Sequence, residues 1–292
     1  MQFLITGSST GIGEACARWL DARGHRVFAG VRRADDAARL KAGASERLVP
    51  VLIDVADDST IKAALSTVAS VLSGAGLDGV VNNAGIAVGG PLEYLPIDAI
   101  RRQLDVNVIG QIAVTQAFMA LIRRARGRIV FMGSVGGRFA TPFLGPYCAS
   151  KFALEAIADS LRVEVQPWGV HVSIVEPGSI ATPIWHKPAD AGSPIDGERA
   201  HDAQRDYGPA LTAFRAAVAE AGGRGIPADE VAKAVEHALT SRSPKTRYVV
   251  GRDARIQVAL RNFVSDRLRD RFMTRLMKLP ARGSVSYRPG PG

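Results

Sequence analysis

Short apolar runs rich in β-branched residues recur along the chain and alternate with segments of helical periodicity. The runs lie at residues 2–6, 26–31, 48–53, 79–82, 128–132, 170–175 and 247–250. Between them, apolar residues recur every three to four positions, the period of an amphipathic helix, at residues 11–22, 59–72, 98–122, 146–166 and 228–239. Strands that alternate with helices build a mostly parallel sheet covered on both faces, so the pattern predicts a seven-stranded α/β fold.

Two segments depart from this alternation. Residues 183–225 carry several Pro and Gly residues with interspersed aromatics and interrupt the chain after the sixth strand. A long insertion of this kind is often a lid or binding loop, and a surface excursion without function is the alternative. At residues 254–279, apolar residues recur every fourth position, from Ile256 to Leu276. Because the basic residues there do not segregate opposite this ladder, it favours a helix packed on the body or on another subunit over a membrane-surface helix.

These boundaries predict one catalytic domain over residues 1–253, with 183–225 as its substrate-loop insertion. A basic helical extension and a short flexible tail would follow at residues 254–292. A chain of 292 residues with 47% hydrophobic content can bury a full core. Two cysteines, Cys16 and Cys148, are too few for a disulfide framework, so a reducing compartment is expected.

The start of the chain bears on localisation. The first predicted strand begins at Gln2 and runs directly into a glycine-rich turn, which leaves no room for a signal peptide. No apolar run approaches the roughly 18 residues of a membrane span. We therefore expect a cytoplasmic protein.

The positive charge is concentrated at the C-terminal end. The chain has a net charge of +9, and from Arg252 onward ten Lys or Arg stand against three Asp or Glu, a net +7 that leaves +2 for the rest. A basic tail can bind nucleic acid or an anionic membrane, yet it more often solvates a surface helix. We expect no nucleic-acid partner, and membrane contact is the less favoured alternative.

Tyr147 and Lys151 carry the most specific chemical signal. They are four residues apart within a predicted helix, so they lie on one face. A lysine ammonium beside a phenol favours the ionised phenol, which lowers its pKa and makes it a proton donor and acceptor near neutrality. The pair therefore predicts general acid–base chemistry.

A glycine-rich turn at residues 6–13 indicates the cofactor. It follows a strand and opens a helix, which is the setting of the dinucleotide turn in Rossmann-type, doubly wound sheets. Small residues let the backbone approach a pyrophosphate, and the helix N-terminus offers unpaired N–H groups with a partial positive charge.

The end of the second strand distinguishes NADP from NAD. An acid at that place bonds the ribose 2′-hydroxyl of NAD, whereas a basic residue suits the 2′-phosphate of NADP. The chain reads Gly30-Val31-Arg32-Arg33 and offers no acid there. Arg32 or Arg33 predicts a preference for NADP(H), with NAD(H) as the alternative.

Further motifs in a fixed order identify a family. These are TGSSTGIG at residues 6–13, NNAG at 82–85, Asn107, Ser134, YCASK at 147–151, and Pro177-Gly178 followed by Thr182. Over roughly residues 1 to 250 the chain resembles the short-chain dehydrogenase/reductases. The spacing of the glycine turn is similar to their compact oxidoreductase branch, and a looser likeness points to the hydroxysteroid and retinol dehydrogenase-like subgroup.

The resemblance implies roles for individual residues. Tyr147 would be the general acid or base, Ser134 would bond the substrate oxygen, and Lys151 would hold the nicotinamide ribose. Asn107 would fix a water that links Lys151 to solvent. The cofactor-binding residues would be Gly7, Ser9, Thr10, Gly11, Ile12, Gly13, Arg32, Arg33, Asp54, Val55, Asn83, Ala84, Gly85, Tyr147, Lys151, Pro177, Gly178, Ile180 and Thr182, and no metal is expected.

An apolar stretch between Ser134 and Tyr147 borders the reacting carbonyl. Phe139, Phe143 and Leu144 lie there and Trp185 could close over them, which predicts a hydrophobic ketone, aldehyde or alcohol as substrate. A non-catalytic dinucleotide sensor on the same fold is the alternative, although its usual sign is a broken Ser-Tyr-Lys set. The family's habit of pairing through the helices at Asp98 and Tyr147 implies a homodimer or homotetramer.

Overall fold

Seven strands form one parallel sheet in the computed structural model, which describes residues 1–181, 195–261 and 263–284. The strands are β1 (Gln2–Ile5), β2 (Arg26–Val31), β3 (Leu48–Leu52), β4 (Gly79–Asn82), β5 (Arg128–Met132), β6 (His171–Pro177) and β7 (Arg247–Val250). Their order is β3-β2-β1-β4-β5-β6-β7, and every neighbouring pair is parallel. The predicted seven-stranded, doubly wound Rossmann fold is confirmed.

Helices cover both faces of the sheet. They are α1 (Gly11–Ala22), α2 (Ala34–Lys41), α3 (Asp58–Leu72), α4 (Ile97–Leu104), α5 (Gly110–Ala125), α6 (Gly145–Glu164), α7 (Gly197–Gly223), α8 (Ala228–Thr240), α9 (Arg252–Arg261) and α10 (Asp266–Leu276). One apolar core joins α1 and α8 to the sheet through residues such as Leu20 and Val235. A second core joins α3, α5 and α6 to the opposite face, through Val68, Phe118 and Leu154.

The strand order reverses at β1, which has β2 on one side and β4 on the other. Ile5 is in register with Ala29 of β2 and with Val81 of β4. In open parallel sheets the crevice at such a switch point, beyond the carboxyl ends of the strands, is where ligands bind. The connections that leave β1, β2, β4 and β5 therefore converge on one edge.

One long helix runs from Ile97 to Ala125 and contains a π-helical turn at Asp105–Ile109. Among the described residues it is the one helix long and apolar enough to cross a membrane by length and composition, and half of its most apolar window is buried inside the protein. Val114, Phe118 and Leu121 belong to the core beneath the sheet. These contacts identify it as a core helix.

The predicted insertion at residues 183–225 contains a helix that the sequence pattern did not indicate. Its described part forms α7, which includes Pro209. The Tyr94 hydroxyl donates to Asp206 at 2.5 Å, and the Tyr207 hydroxyl donates to Glu93. These bonds tie α7 to the connection that follows β4, beside the edge where the sheet opens.

The C-terminal extension consists of two helices rather than the one continuous helix predicted at residues 254–279. α9 ends at Arg261, and Ser265 takes an extended backbone conformation before α10. Val264 and Ser265 are weak helix formers, so the break falls where propensity is lowest. The apolar ladder is therefore divided between two helices.

Candidate active site

Two hydroxyl groups meet at the carboxyl end of β5. Tyr147 lies in the first turns of α6 and is 8% exposed, while Ser134 follows β5 and is partly buried. The two side chains share a hydrogen bond. The Ser134 hydroxyl also accepts the Gly136 N–H at 3.0 Å, which leaves its own proton available for donation.

Two glycines allow this close approach. Residues Val135–Gly137 form a single 3₁₀ turn that packs against α6. A Cβ at Gly136 would lie 3.3 Å from Tyr147 Cε1, and a Cβ at Gly137 would lie 2.9 Å from the Lys151 carbonyl oxygen. Side chains at these positions would push the turn away from α6 and separate Ser134 from Tyr147. Their contribution is visible only in the structure, because a Gly-Gly pair by itself indicates any tight turn.

Lys151 lies beneath the phenol and is 4% exposed. Its ammonium nitrogen is 5.7 Å from the centroid of the Tyr147 ring and donates to the Met132 carbonyl at 2.7 Å. Met132 is the last residue of β5, so the bond fixes the lysine to the strand that carries Ser134. Ser134, Tyr147 and Lys151 therefore form one group, as the resemblance implied.

The phenol pKa departs from the sequence expectation. Burial raises the pKa of Tyr147 to about 12, and the hydrogen bond with Ser134 only partly opposes this. Burial also lowers the pKa of Lys151 to about 8, so the ammonium loses its proton more easily than an exposed lysine. The Coulomb field expected from the spacing is outweighed by desolvation of both groups.

Asn107 occupies the π-helical turn and is fully buried. Its Oδ1 accepts the Ile86 N–H at 2.8 Å, and its Nδ2 donates to the Ile86 carbonyl at 3.0 Å and to the Ser150 hydroxyl at 3.1 Å. These bonds hold the connection after β4 against α6. The side chain adjoins the site from behind, and the water relay implied by the resemblance stays a prediction.

A cleft of about 350 Å³ runs along the carboxyl edge of the sheet. It reaches from the ends of β2 and β3 past the glycine turn to the Ser134 group. The candidate cofactor residues that line it are Gly7, Ser9, Thr10, Gly11, Ile12, Gly13, Arg32, Asp54, Val55, Asn83, Ala84, Gly85, Tyr147, Lys151, Pro177, Gly178 and Ile180. Thr182 lies outside the described residues. α1 begins in this cleft without a side-chain cap, which leaves backbone N–H groups for an anion. The residues fit a dinucleotide.

The glycine-rich turn packs so closely against its neighbours that it has no room for side chains at Gly7 and Gly13. Gly7 has a φ of +68°, and a Cβ there would lie 2.7 Å from Ala84 Cα. A Cβ at Gly13 would lie 2.2 Å from the Gly7 carbonyl oxygen. Asn83 donates to the carbonyls of Thr6 and Gly7, at 2.9 and 3.1 Å. Asn83 thus joins the ends of β1 and β4 and holds the turn in place.

The two arginines that follow β2 differ in position. Arg32 lines the cleft, whereas Arg33 is paired with Asp36 at 3.2 Å and its side chain is 77% exposed. A third arginine, Arg39 of α2, donates to the Ser9 carbonyl and contacts Glu14 at 3.1 Å. Arg39 is a residue that the sequence pattern missed, because α2 itself was not predicted.

An apolar cavity of about 660 Å³ adjoins the cleft on the other side of Ser134 and Tyr147. The connection after β5, α7 and α10 form its walls. Its lining residues include Val135, Phe139, Leu144, Cys148, Phe214, Val218, Val264, Leu268, Phe272, Met273, Leu276 and Met277. α7 belongs to the segment 183–225 that the sequence analysis assigned to a substrate-loop insertion. The contribution of α10 was missed, since nothing local marks a residue as facing a site formed by a remote segment.

The predicted substrate residues fall in three places. Phe139 and Leu144 line the cavity. Phe143 packs behind its wall, 5.9 Å from the ring centroid of Tyr207 and 5.6 Å from that of Phe214. Trp185 lies outside the described residues.

Asp253 links the C-terminal extension to the site. Its carboxylate accepts the Ser179 N–H at 2.8 Å, and a Cβ at Gly178 would lie 2.6 Å from the same carboxylate. Gly178 lines both the cleft and the cavity, and Ser179 lines the cavity. The connection after β6 is therefore held from α9, a contact without a sequence signature.

A buried charge network supports the site from behind. Arg138 donates to Glu176 at 2.9 Å and contacts Glu155 at 3.4 Å. Arg247 contacts Glu155 at 3.1 Å and Asp159 at 2.6 Å. The network joins the turn after Ser134, α6, β6 and β7. Burial and the neighbouring Glu176 raise the pKa of Glu155 to about 7.

This raised pKa predicts a pH-dependent stability. Between its usual pKa near 4.5 and about 7, the folded protein retains the Glu155 proton that the unfolded chain has lost. The contribution of Glu155 to stability therefore falls as pH rises through this window. We expect the free energy of unfolding of the wild type, relative to that of Glu155→Gln, to fall by on the order of 2 kcal/mol from about pH 5 to about pH 8. Urea denaturation at both pH values measures it, and a constant difference would contradict the assignment.

Comparison with known proteins places this geometry among oxidoreductases. The sequence model of the family described as short chain dehydrogenase matches residues 2–191. Human retinol dehydrogenase 5 is 38% identical, an alignment that covers 95% of this chain and 89% of the relative. Human 17-beta-hydroxysteroid dehydrogenase type 6 is also 38% identical, with the same coverage. An NADPH-dependent 3-dehydrocapnine reductase of Ornithobacterium rhinotracheale is 33% identical and covers 94% of this chain and 96% of the relative.

Solved structures agree with the sheet order and the helical layers. A short-chain dehydrogenase from Streptomyces avermitilis has a TM-score of 0.75 at 28% identity and covers 95% of this chain and 97% of its own. A short-chain dehydrogenase from Burkholderia cenocepacia, solved with NADP, has a TM-score of 0.69 at 24% identity and covers 94% and 96%. At that identity the second likeness concerns the fold alone.

Proposed function

Because the chain belongs to the short-chain dehydrogenase/reductase family, in its hydroxysteroid and retinol dehydrogenase-like subgroup, we propose that it interconverts a hydrophobic ketone or aldehyde and its alcohol with NADP(H). NAD(P)-dependent oxidoreduction of CH–OH or C=O groups is the activity of this family. One observation carries the proposal: the cleft along the sheet edge and the apolar cavity share Ser134 and Tyr147. A cofactor and a hydrophobic substrate would thus meet at the two hydroxyls.

The residues divide the chemistry among them. A bound nicotinamide supplies or accepts the hydride at the carbonyl carbon. The Tyr147 hydroxyl donates a proton to the carbonyl oxygen in reduction and takes it back in oxidation. The Ser134 hydroxyl donates a hydrogen bond to the same oxygen and stabilises the negative charge that develops there. Lys151, fixed to Met132, orients the ribose side of the cofactor.

The raised phenol pKa sets the protonation state of Tyr147 before turnover. With a pKa of about 12, Tyr147 is protonated at neutral pH and available as an acid. An alcohol is a weaker acid than this phenol, so transfer of the proton to a forming alkoxide is downhill. Oxidation would require the phenolate, which burial disfavours.

The choice of NADP(H) is supported by Arg32. Arg32 lines the cleft just after β2, where the adenosine ribose would lie, and residues 30–33 contain no acid. A relative is named as an NADPH-dependent reductase. Asp54 and Val55, at the end of β3, line the same end of the cleft and would contact the adenine.

Replacing Arg32 tests the cofactor preference. We expect Arg32→Gln to lower the ratio of kcat/KM for NADPH to that for NADH by on the order of 30-fold, because charge-assisted hydrogen bonds contribute about 1.5 to 3 kcal/mol. The matched control is Arg33→Gln, because the Arg33 side chain is mostly exposed and is paired with Asp36. This variant should change the ratio of kcat/KM for NADPH to that for NADH by less than about threefold. Equal effects of both variants, or a wild type that uses NADH as well as NADPH, would overturn the preference.

The substrate class rests on the cavity. Its walls are largely apolar, with Ser134, Tyr147 and a few other polar side chains among them, the composition of sites that bind hydrophobic molecules. The names of two relatives give retinol and a 17-beta-hydroxysteroid as substrates, and both are largely apolar alcohols. We propose that this chain acts on a carbonyl or alcohol of comparable hydrophobicity.

A spectrophotometric screen tests the proposed function. NADPH absorbance is followed with steroids, retinoids, aliphatic aldehydes and quinones, each against a matched blank. We expect turnover with at least one apolar class and none with small polar carbonyls. Tight NADPH binding without turnover of any class would instead favour a non-catalytic dinucleotide sensor.

A further inference from the structure

Arg269 lies on the inward face of α10. Met273 and Met277, four and eight residues later, share that face, because residues four apart lie one above the other on a helix. The two methionines are 7% and 3% exposed and pack with Phe143 and Leu211 in a small core. The Arg269 side chain itself is 28% exposed. It is therefore directed toward the body of the protein.

Arg269 is also the one charged residue among the described residues that line the apolar cavity. Its guanidinium carbon is 5.5 Å from the ring centroid of Phe139, another lining residue. The Phe139 carbonyl accepts the Cys148 thiol at 3.9 Å, and Cys148 directly follows Tyr147. The cation and the Tyr147 hydroxyl thus border one cavity at different places, and Phe139 contacts both Arg269 and the helix that carries Tyr147.

The contacts of Arg269 within the described part of the chain leave hydrogen-bond donors for a ligand. Its partner there is Asp266, at 2.8 Å, and the Asp266 side chain is 82% exposed. An exposed ion pair three residues apart on a helix contributes little to stability. A guanidinium has five N–H donors, so this pair uses only some of them. A cation placed in an apolar wall is costly unless an anion approaches it, and the cavity gives an anion that access.

We propose that Arg269 binds an anionic group of the substrate, such as a carboxylate, while Ser134 and Tyr147 bind the carbonyl or alcohol oxygen elsewhere on the same molecule. A guanidinium matches the two oxygens of a carboxylate with two parallel hydrogen bonds. The surrounding charge has the required sign, because residues 252–292 carry a net +7. Gln257 of α9, a further polar residue of the cavity wall, adds an amide donor on the same C-terminal extension.

The inference narrows the substrate class. It rests on the proposed function for the reacting end and adds an acidic group at a distance from the carbonyl, with an apolar chain or ring system between them. Retinol and a 17-beta-hydroxysteroid, which the names of two relatives give, have no such group. Arg269 would therefore select an amphipathic acid over a neutral molecule of similar hydrophobicity.

Equilibrium binding to the NADPH-loaded full chain tests this subsite without requiring turnover. Octanoate and 1-octanol, two probes of equal length that differ in charge, are titrated by calorimetry. We expect octanoate to bind at least about tenfold more tightly, because charge-assisted hydrogen bonds are stronger than neutral ones. Arg269→Gln should abolish this affinity ratio. Arg269→Lys, which keeps the charge but not the planar fork, should retain a ratio of at least about threefold.

Arg271→Gln is the matched control. It removes the same charge from the same helix, but Arg271 is exposed and lies about 200° around the helix axis from Arg269. This variant should keep the ratio of octanoate to 1-octanol affinity within about twofold of the wild-type value. Equal affinities of the two probes for the wild type, or equal effects of Arg269→Gln and Arg271→Gln, would overturn the subsite.

Kinetics separates this subsite from the proposed function. kcat/KM with NADPH is measured for straight-chain aldehydes of about six to twelve carbons, each with and without a terminal carboxylate. We expect the carboxylated aldehyde to be favoured at least about tenfold at the chain length that spans from Tyr147 to Arg269, and Arg269→Gln to remove this preference. Reduction of both series without such a preference contradicts only the subsite. Preferred binding of octanoate without reduction of any aldehyde contradicts only the proposed function.

Discussion

Replacing Tyr147 by phenylalanine is expected to lower kcat about 1,000-fold while NADPH affinity stays within about threefold, since a positioned general acid contributes about 10² to 10⁴ in rate. The change removes the hydroxyl that we propose as the proton donor, together with its hydrogen bond with Ser134. The ring fills the same buried space, so the cleft keeps its shape. Steady-state kinetics give kcat, and quenching of protein fluorescence gives the NADPH dissociation constant.

Tyr248→Phe is the matched control. Tyr248 is 8% exposed, like Tyr147, and its hydroxyl is hydrogen-bonded to His237 at 2.8 Å and to the Lys245 N–H at 2.9 Å. Its loss should lower stability by about 1 kcal/mol and change kcat less than about threefold. If Tyr147→Phe kept wild-type turnover, Tyr147 would not be the proton donor.

Gly13→Ala is expected to lower NADPH affinity at least about 100-fold and to destabilise the fold by about 3 kcal/mol, because overpacking a rigid site costs about 1 to 3 kcal/mol or more. The added Cβ would lie 2.2 Å from the Gly7 carbonyl oxygen and 2.5 Å from Asn83 Nδ2. These atoms belong to the glycine turn and to the side chain that holds it. The turn must move away from α1, and the anion site at the helix N-terminus would open.

Gly223→Ala is the matched control for Gly13→Ala. Gly223 ends α7, and an added Cβ there meets no heavy atom within 4 Å. Alanine should leave stability unchanged or raise it by about 0.5 kcal/mol, with no effect on NADPH binding. Thermal unfolding of both variants measures their stability, and NADPH titration measures their affinity for the cofactor. If Gly13→Ala and Gly223→Ala had the same stability and the same NADPH affinity, the tight turn would not be needed to bind the cofactor.

The strands were predictable from the sequence because most of them are buried on both faces. A run such as residues 129–132 is therefore continuously apolar, and the glycine turn after β1 fixes where the first strand ends. α2 was not predicted because it is short and polar, with Leu40 as its one buried residue. The break before α10 depends on Ser265 and its neighbours, which interrupt an apolar period that otherwise continues.

The site was predictable where one local motif carries the chemistry. The spacing of Tyr147 and Lys151 follows from helix geometry, and Arg32 follows from its place at a strand end. The cavity walls were predictable only in part: Phe214 lies in the predicted substrate-loop insertion, whereas Phe272 reaches the cavity from a helix that the sequence did not connect to the site. The phenol pKa could not be read from spacing either, because it depends on how deeply the fold buries Tyr147 and Lys151.

The most direct test of the central claim, reduction of a hydrophobic carbonyl beside Ser134 and Tyr147, uses a homologous series of straight-chain aldehydes. kcat/KM with NADPH is measured from about four to ten carbons. We expect it to rise about fourfold per added methylene, since burial of each CH₂ contributes about 0.8 kcal/mol, and to level off when the cavity is filled. A kcat/KM that stays flat or falls with chain length would contradict the account.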